Sequence, residues 1–412
     1  WNCFNRSRLK IYSRDGDLRR IIWMKNGEQH GKTIHKYEGR VISKSRFRNG
    51  KRSGKTISYH RDGSVSNKDY FTDGLQSGIQ RRYYPNGQLE FEIGHTIIEE
   101  DGKKKSVLHG VNNKYMPNGA PIHIGEYAYG KMHGRWESYA TTGELRDVST
   151  FKEGKQHGSF EKYRDDYTLF QRGILYEEIE IDGYTKKKVY DGILESFHPN
   201  GQLQRRVEYD MGKVHGFREF YHDNGQLRSR QKFIQDQPVG PLIEYDENGV
   251  KYSETHYEIF ELNGRQQGLE HGWERQWREG VLISETFKQY GKTEGVAKIW
   301  DADGNLNFVG NFTNGLYDGE VVKYDPDGDL KSVNRYHIVK QEGRDDISAM
   351  LGWQLDFDPP GELATAIYYD SAQTVIVRKT FHNGQVAEVE YQDLLSLRYS
   401  PKGTPQSLRL IS

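Results

Sequence analysis

YYPNGQL (Tyr83 to Leu89), FHPNGQL (Phe197 to Leu203) and YHDNGQL (Tyr221 to Leu227) are one phrase written three times: an aromatic, three mostly polar residues, a glycine, any residue, then leucine. The phrase returns as YSRDGDL from Tyr12 to Leu18, YHRDGSV from Tyr59 to Val65 and YDPDGDL from Tyr324 to Leu330. Its turn glycines keep a fixed interval: Gly39, Gly63 and Gly87 are 24 residues apart, as are Gly201, Gly225 and Gly249. A fixed period of this length is the signature of a repeat architecture. About eleven residues after each such glycine a second turn follows, as in FRNGKRSG (Phe47 to Gly54), FKEGKQHG (Phe151 to Gly158) and FTNGLYDG (Phe312 to Gly319).

Two turns per period make the unit an antiparallel hairpin. Asn-Gly and Asp-Gly favour the positive-φ residues of type I′ turns, and segments such as Gln204 to Tyr209 have strand length and composition. About fifteen such hairpins, stacked side by side, predict an all-β fold: an elongated, single-layer twisted sheet, with stability summed over repeats and their neighbours. At ~4.8 Å per strand the sheet would run on the order of 140 Å if straight. Most residues of so thin a sheet are exposed, so the recurrent aromatics are expected to stack as a ladder on one face, with Trp23, Trp136 and Trp300 among its members.

Composition agrees. Of the 412 residues only 34% are hydrophobic and mean hydropathy is −0.91, yet aromatics reach 13%, with 28 Tyr and 45 Gly. Disordered chains share the low hydropathy but not the aromatics. Lys plus Arg equals Asp plus Glu at 59 each, so no global field favours nucleic acid or an anionic surface. The single cysteine, Cys3, excludes an internal disulfide framework. No run approaches the ~18 apolar residues of a spanning helix. A start at Trp1 rather than Met implies an upstream segment, which could be an export signal, an anchor or a tag. An export signal would place the protein in the periplasm or cell envelope; without one it would be cytoplasmic.

Every third unit is longer. The turn-glycine spacing grows to 32 residues between Gly87 and Gly119, 31 between Gly249 and Gly280, and 33 between Gly328 and Gly361; a fourth long unit begins near Tyr167. Its extra residues fall near 95–112, 176–194, 256–274 and 337–354, where corresponding glycines sit 79 to 82 residues apart. These insertions are expected to extend hairpins into fingers. Either a three-repeat duplication carried a loop along passively, or the finger tips bind a partner. The tips differ in chemistry: Lys103, Lys104 and Lys105; Lys186, Lys187 and Lys188; Trp273, Arg275 and Trp277; then Arg344 with Asp345 and Asp346. The lysines suit phosphate or lipid headgroups, or serve only solubility. The two tryptophans with their arginine either anchor an interface or pack in the stem of the hairpin.

No catalytic constellation emerges. His30, His133, His157, His215 and His271 each precede a glycine of the second turn and read as turn residues, since metal ligands must converge and these are whole repeats apart. The carboxylates of Glu99, Glu100, Asp101, Asp345 and Asp346 lack a paired histidine or nucleophile in their unit. No cofactor, metal site or small-molecule substrate is expected.

The phrases YPNGQL (84 to 89), HPNGQL (198 to 203) and HDNGQL (222 to 227), with GKVHG (212 to 216), GKMHG (130 to 134) and GKQHG (154 to 158), resemble MORN-type repeats, specifically the bacterial variant of YwqK-type antitoxin proteins. The likeness covers Tyr12 to Gly328 and decays through FHNGQV (381 to 386) and YSPKG (399 to 403). It divides the chain into an N-terminal cap over 1–10, repeats over 11–360, and degenerate repeats with a C-terminal cap over 361–412. The resemblance implies a non-enzymatic role: an antitoxin or immunity protein that binds a toxin or secreted effector, including lipase-type effectors, and occludes its active site. The alternative it implies is a membrane-surface scaffold binding phospholipid headgroups through the basic tips.

Overall fold

The computed structural model describes residues 6–177, 179–181, 183–186, 188–341, 343–359, 361–391, 395–399 and 405–409. Among them every regular element is a β-strand, and the strands pair antiparallel in chain order. The all-β repeat of stacked hairpins read from the sequence is the fold observed. The chain divides into two compact units, 1–203 with 209–212, and 204–208 with 213–412. The expected N-terminal cap over 1–10 lies partly outside the described residues; its described residues, 6–10, belong to the exposed strand Arg6–Tyr12, which pairs with Leu18–Lys25.

The two turns of each hairpin differ, and one expectation is corrected. In the second turn both central residues have positive φ, as type I′ requires: Asn49 and Gly50 at 48° and 74°, Asn314 and Gly315 at 53° and 86°. In the phrase NGQL only the glycine does. The Tyr84 N–H donates to the Gln88 carbonyl and the Gly87 N–H to the Tyr84 carbonyl, both at 2.9 Å, closing a three-residue loop with Gly87 at φ 85°. That is a type I turn ended by a left-handed glycine. Asn86 is used for its side chain instead: Oδ1 accepts from the Gln88 N–H (3.0 Å).

Both turns also bind the next hairpin. The Gly50 N–H donates to the Gln29 carbonyl (2.9 Å), Gly74 to Arg52 (2.8 Å) and Gly154 to Met132 (2.9 Å) in the first unit, and Gly315 to Thr293 (2.8 Å) in the second. At the phrase end, His60 Nε2–H donates to the Tyr83 carbonyl (2.9 Å) and His222 Nε2–H to the Tyr245 carbonyl (3.0 Å). Asn86 and Asn224 donate amide protons to the carbonyls of Pro117 and Glu247, each at 2.7 Å. The 24-residue period is thus the spacing at which one turn meets the next.

The histidines read as turn residues stand instead inside strands. Each precedes a glycine of positive φ, for example Gly158 at 128° and Gly272 at 111°, and these two glycines sit where the ladder slips register. A β-bulge with a left-handed glycine bends the strand there. The rings reach the neighbouring turn: His157 lies tilted against Tyr176 (4.4 Å) and His271 edge-on to Tyr290 (5.5 Å), while His30 Nδ1 lies 3.3 Å from Asn49 Oδ1.

Two residues beyond each bulge glycine the side chain turns inward. This places Thr33, Thr56, Gln80, Phe160 and Leu194 in a buried file in the first unit, and Ala297 and Val321 in one in the second. The residue paired across the ladder completes the file: Ser45 with Thr33, Ser149 with Trp136, Gly173 with Phe160, Gly310 with Ala297, Asn334 with Val321. The interior is one or two residues wide, and much of it is small or polar. Its most apolar stretch joins Phe160, Leu175 and Leu194 with Tyr190 and Tyr209.

Among the described residues the aromatics do not form one continuous ladder. Trp136 meets that expectation, edge-on to Tyr127 (5.3 Å) and Phe151 (6.3 Å) and filling the space over Gly125. Elsewhere cations interleave: Lys44 lies over Tyr59 (5.3 Å), Lys68 over Tyr83 (4.8 Å), Arg172 over Phe197 (5.4 Å). A thin sheet exposes each ring on one side, and a long cationic side chain covers it while keeping its charge in water.

Candidate functional site

The first finger is a continuous hairpin of Leu89–Glu100 and Lys103–Tyr115, turning at Asp101 and Gly102 (φ 52° and 70°). Its base is held by neighbours: Ser106 Oγ donates to the Gln76 carbonyl (2.8 Å) and the Gly130 N–H to the Leu108 carbonyl (2.7 Å). Lys103, Lys104 and Lys105 are exposed at the tip, paired across the strands with Glu100, Glu99 and Ile98, and the Lys105 ammonium bonds the Glu100 carboxylate. Strand alternation sends Lys104 to the opposite face from Lys103 and Lys105. Three ammonium groups therefore stand among the three carboxylates of Glu99, Glu100 and Asp101, on two faces. The formal charges of these six residues sum to zero.

The second finger is interrupted. Tyr176 pairs with Val189, and a separate two-stranded piece, Ile179–Ile181 with Tyr184–Lys186, turns at Gly183. Lys186 is half-buried in its strand and Lys188 exposed; Lys187 lies outside the described residues. The most exposed large side chain here is Tyr184, 76% open, which sequence reasoning passed over. Between the sheet strands of the two fingers, Lys103–Tyr115 and Leu169–Tyr176, lie four strands, about 24 Å at ~4.8 Å per step, so the two lysine groups do not form one site.

The third finger, in the second unit, pairs Lys251–Leu262 with Arg265–Arg278 and turns at Asn263 and Gly264. Its tip carries Leu262, Arg265, Gln266 and Gln267. Trp273 and Trp277 stand toward the sheet end of the returning strand, opposite Phe287 and Leu282. Trp277 occupies the phrase-aromatic position and is covered by Lys251, whose Nζ is 3.9 Å from the ring centre. Trp273 is 37% exposed, edge-on to Phe287 (5.4 Å, 83°). Arg275 lies over the Trp273 ring (5.1 Å), and its Nε is fixed by Glu285 Oε2 at 2.8 Å. Because Glu274 points into the file, Trp273 and Arg275 share the outward face.

The fourth finger pairs Tyr336–Val339 with Ile347–Met350 and closes over the wider segment 340–346, where Arg344, Asp345 and Asp346 are exposed. Among the described residues no three metal-ligating side chains converge, and no helix is long and apolar enough to cross a membrane.

A further feature sits in the interior file of the second unit. Arg218 and Gln231, paired across the ladder, stand where the first unit has Phe160 and Gly173, and they border an open cavity of about 250 Å³ walled by Phe220, Phe233, Pro238 and Leu242. The sequence signal was available: Arg218 follows the bulge glycine Gly216 by two residues, an inward position.

Several tyrosines are tied to a glutamate two residues earlier: Tyr139 to Glu137 (2.5 Å), Tyr163 to Glu161 (2.8 Å) and Tyr221 to Glu219 (3.0 Å), in each case the hydroxyl donating. Burial, then the hydrogen bond to the carboxylate, pushes all three phenols up to about 12.

The family description "MORN repeat variant" matches residues 76–95, 190–211 and 238–258, so the chain carries MORN-type repeats there. Such repeats are, as a class, non-catalytic and bind protein or lipid. No curated protein matches the chain. Among solved structures, the crystal structure of TcdB2-TccC3-Cdc42 is matched at 12% identity over 99% of this chain and 25% of that one, with a TM-score of 0.15. TcdB2-TccC3 is matched at 11% identity, also over 99% and 25%, with a TM-score of 0.15. A Photorhabdus luminescens Tc holotoxin pore is matched at 12% identity over 99% and 24%, with a TM-score of 0.15. The chain spans about a quarter of the length of those chains, and a likeness of this degree carries nothing about its fold or partner.

Proposed function

We propose that the chain is a non-enzymatic, protein-binding repeat scaffold, acting as an immunity or antitoxin protein that covers one toxin or effector. The observation that carries protein binding is Trp273: an indole 37% exposed on the outward face, braced by Phe287 and by an arginine whose direction is fixed by Glu285. Tryptophan and arginine held in place before the partner arrives lose little freedom on binding and are typical anchors. The neutralising role rests on the resemblance of the turn phrases to antitoxin-type repeats. Headgroup binding is the weaker reading, since the lysines of the first finger face carboxylates and point to two sides.

The test is capture of a partner by the purified chain at moderate and at high salt, repeated with Trp273→Ala. An anchor is worth at least ~2 kcal/mol, about 30-fold in affinity. Capture of a toxin-like protein that survives salt and weakens by that factor supports the reading. Binding only to anionic vesicles, abolished by salt, would replace it with the membrane scaffold.

A further inference from the structure

Balanced totals hide a lopsided chain. Residues 1–82 hold 20 Lys and Arg against 7 Asp and Glu, a net charge of +13, whereas 83–412 hold 39 against 52. Basic charge gathered in this way is the footprint of an anionic partner. Part of it goes uncompensated. Lys32 and Arg46 stand directly opposite each other across the ladder, both exposed, and neither has a carboxylate partner among the described residues. Like charges so placed destabilise a ladder, and a bound anion removes that cost.

The same stretch contains an open cleft of about 830 Å³, within the roughly 300–1,000 Å³ of ligand sites. Its origin is a short turn. Tyr37 pairs with Arg40 around the two residues Glu38 and Gly39, whereas Tyr59 pairs with Val65 around five, so one turn stops short of its neighbour and leaves a gap beside it. Tyr37, Ile42 and Tyr59 line the gap with aromatic and aliphatic surface, and Arg40, Lys44 and Arg61 line it with charge. Tyr37 is 53% exposed, with the Arg19 guanidinium over its ring at 4.8 Å. Arg40 and Arg61 are exposed; Arg40 Nη1 donates to the Arg61 carbonyl (3.0 Å) and has further N–H groups to give. Lys44 lies over Tyr59, and neither it nor Arg61 pairs with a carboxylate among the described residues. Glu38 and Asp62 also border the cleft, and Asp62 Oδ1 already accepts from the Ser64 N–H (2.9 Å) and hydroxyl (2.6 Å). One hairpin earlier the phrase aromatic Tyr12 is 54% exposed.

An open tyrosine beside unpaired cations selects the occupant. The carboxylate of an acidic protein has no flat body to lie on the ring, a lipid headgroup brings a phosphate without a π face, and the bases of a duplex are already stacked on one another. A nucleotide of a single strand brings both a base and a phosphate. We propose that the cleft between the 37–40 and 59–65 turns binds single-stranded nucleic acid, a base stacking on Tyr37 and the flanking phosphates held by Arg40, Lys44 and Arg61. This goes beyond the protein-binding reading and does not depend on it.

The probes are a fluorescent oligothymidylate, an abasic strand of equal length and charge, and a duplex of equal length, each titrated with the full chain and followed by anisotropy; flotation with vesicles of phosphatidylcholine and phosphatidylserine runs alongside. Oligothymidylate should bind at least about fivefold more tightly than the abasic strand, the effect of one stacked base, and three phosphate contacts should weaken it roughly 20-fold between ~50 and ~200 mM salt. Tyr37→Ala should erase the preference for bases, Tyr37→Phe should keep it, and Arg61→Gln should weaken both strands. Equal binding of the two strands, a preference that survives Tyr37→Ala, a duplex bound as tightly as the single strand, no binding, or binding to the anionic vesicles alone would overturn the site. Should Tyr37→Ala fail to fold, the comparison of the two strands on the unaltered chain, together with Arg61→Gln, decides. Because the probes need no protein partner, capture of a toxin-like protein without strand binding refutes this site and leaves the proposed function standing; strand binding without capture does the reverse.

Discussion

Phe160→Ala should open the first unit locally and leave the second almost untouched. Phe160 is 2% exposed, so nearly all of its side chain leaves water on folding. An aromatic side chain buries at least ~150 Å², which at ~25 cal/mol/Å² gives about 4 kcal/mol, within the usual ~3–5 kcal/mol for Phe→Ala in a core. The site has little means of closing over the gap. Gly173 opposite has no side chain to move in, and Leu194 and Tyr190 are held in their own ladders. Stability in stacked repeats is a sum of local and nearest-neighbour terms, so the loss should stay near the lesion. Amide hydrogen exchange read by mass spectrometry is the assay. Exchange over 145–197 should quicken by about 10³-fold, the equivalent of ~4 kcal/mol, with 281–324 unchanged. A rise of less than tenfold, or one shared equally by 281–324, would refute the picture of a locally stabilised file.

Other consequences are as direct. Gly125→Ala would place a methyl 2.3 Å from the Trp136 ring and should cost about 1–3 kcal/mol, read as a lower unfolding midpoint in urea; a neutral result would mean that the indole is not packed there. Asn224→Ala removes bonds to the Gln226 N–H (2.9 Å) and the Glu247 carbonyl (2.7 Å) and should cost about 1 kcal/mol by the same measurement, whereas Asn224→Asp, which keeps the acceptor, should cost less. Tyr139, Tyr163 and Tyr221 have folded pKa values raised to about 12, above an ordinary 10, so between those values the unfolded chain releases protons that the folded chain keeps. Their contribution to stability is complete below pH ~10 and declines as pH rises to ~12. An ultraviolet titration in which every tyrosine ionises near 10 would contradict it.

The hairpin period was legible because a turn is a local event: glycine, asparagine and aspartate at fixed offsets carry their own conformational preferences. Turn type was only half legible. Asn-Gly suits type I′ in TNGL, where Asn314 takes φ 53°, but in NGQL the asparagine serves through its side chain, and only the neighbouring hairpin supplies the carbonyl that rewards this use. The bulges were hidden for a similar reason, since a histidine before a left-handed glycine reads alike in a turn and in a bent strand. Trp273 and Trp277 were assigned to the finger by sequence proximity, whereas the ladder returns both to the sheet and turns one of them outward.

The hydrogen bonds from one hairpin's turns to the next have a mechanical consequence. Within a unit, several hairpins are fastened to a neighbour through a turn glycine at one end or through a histidine or asparagine side chain at the other, as well as along the shared ladder. Force applied to the last strand of such a stack loads one hairpin's fastenings at a time. The stack would peel in discrete steps of one repeat, and a partner gripping several hairpins at once would hold it against peeling.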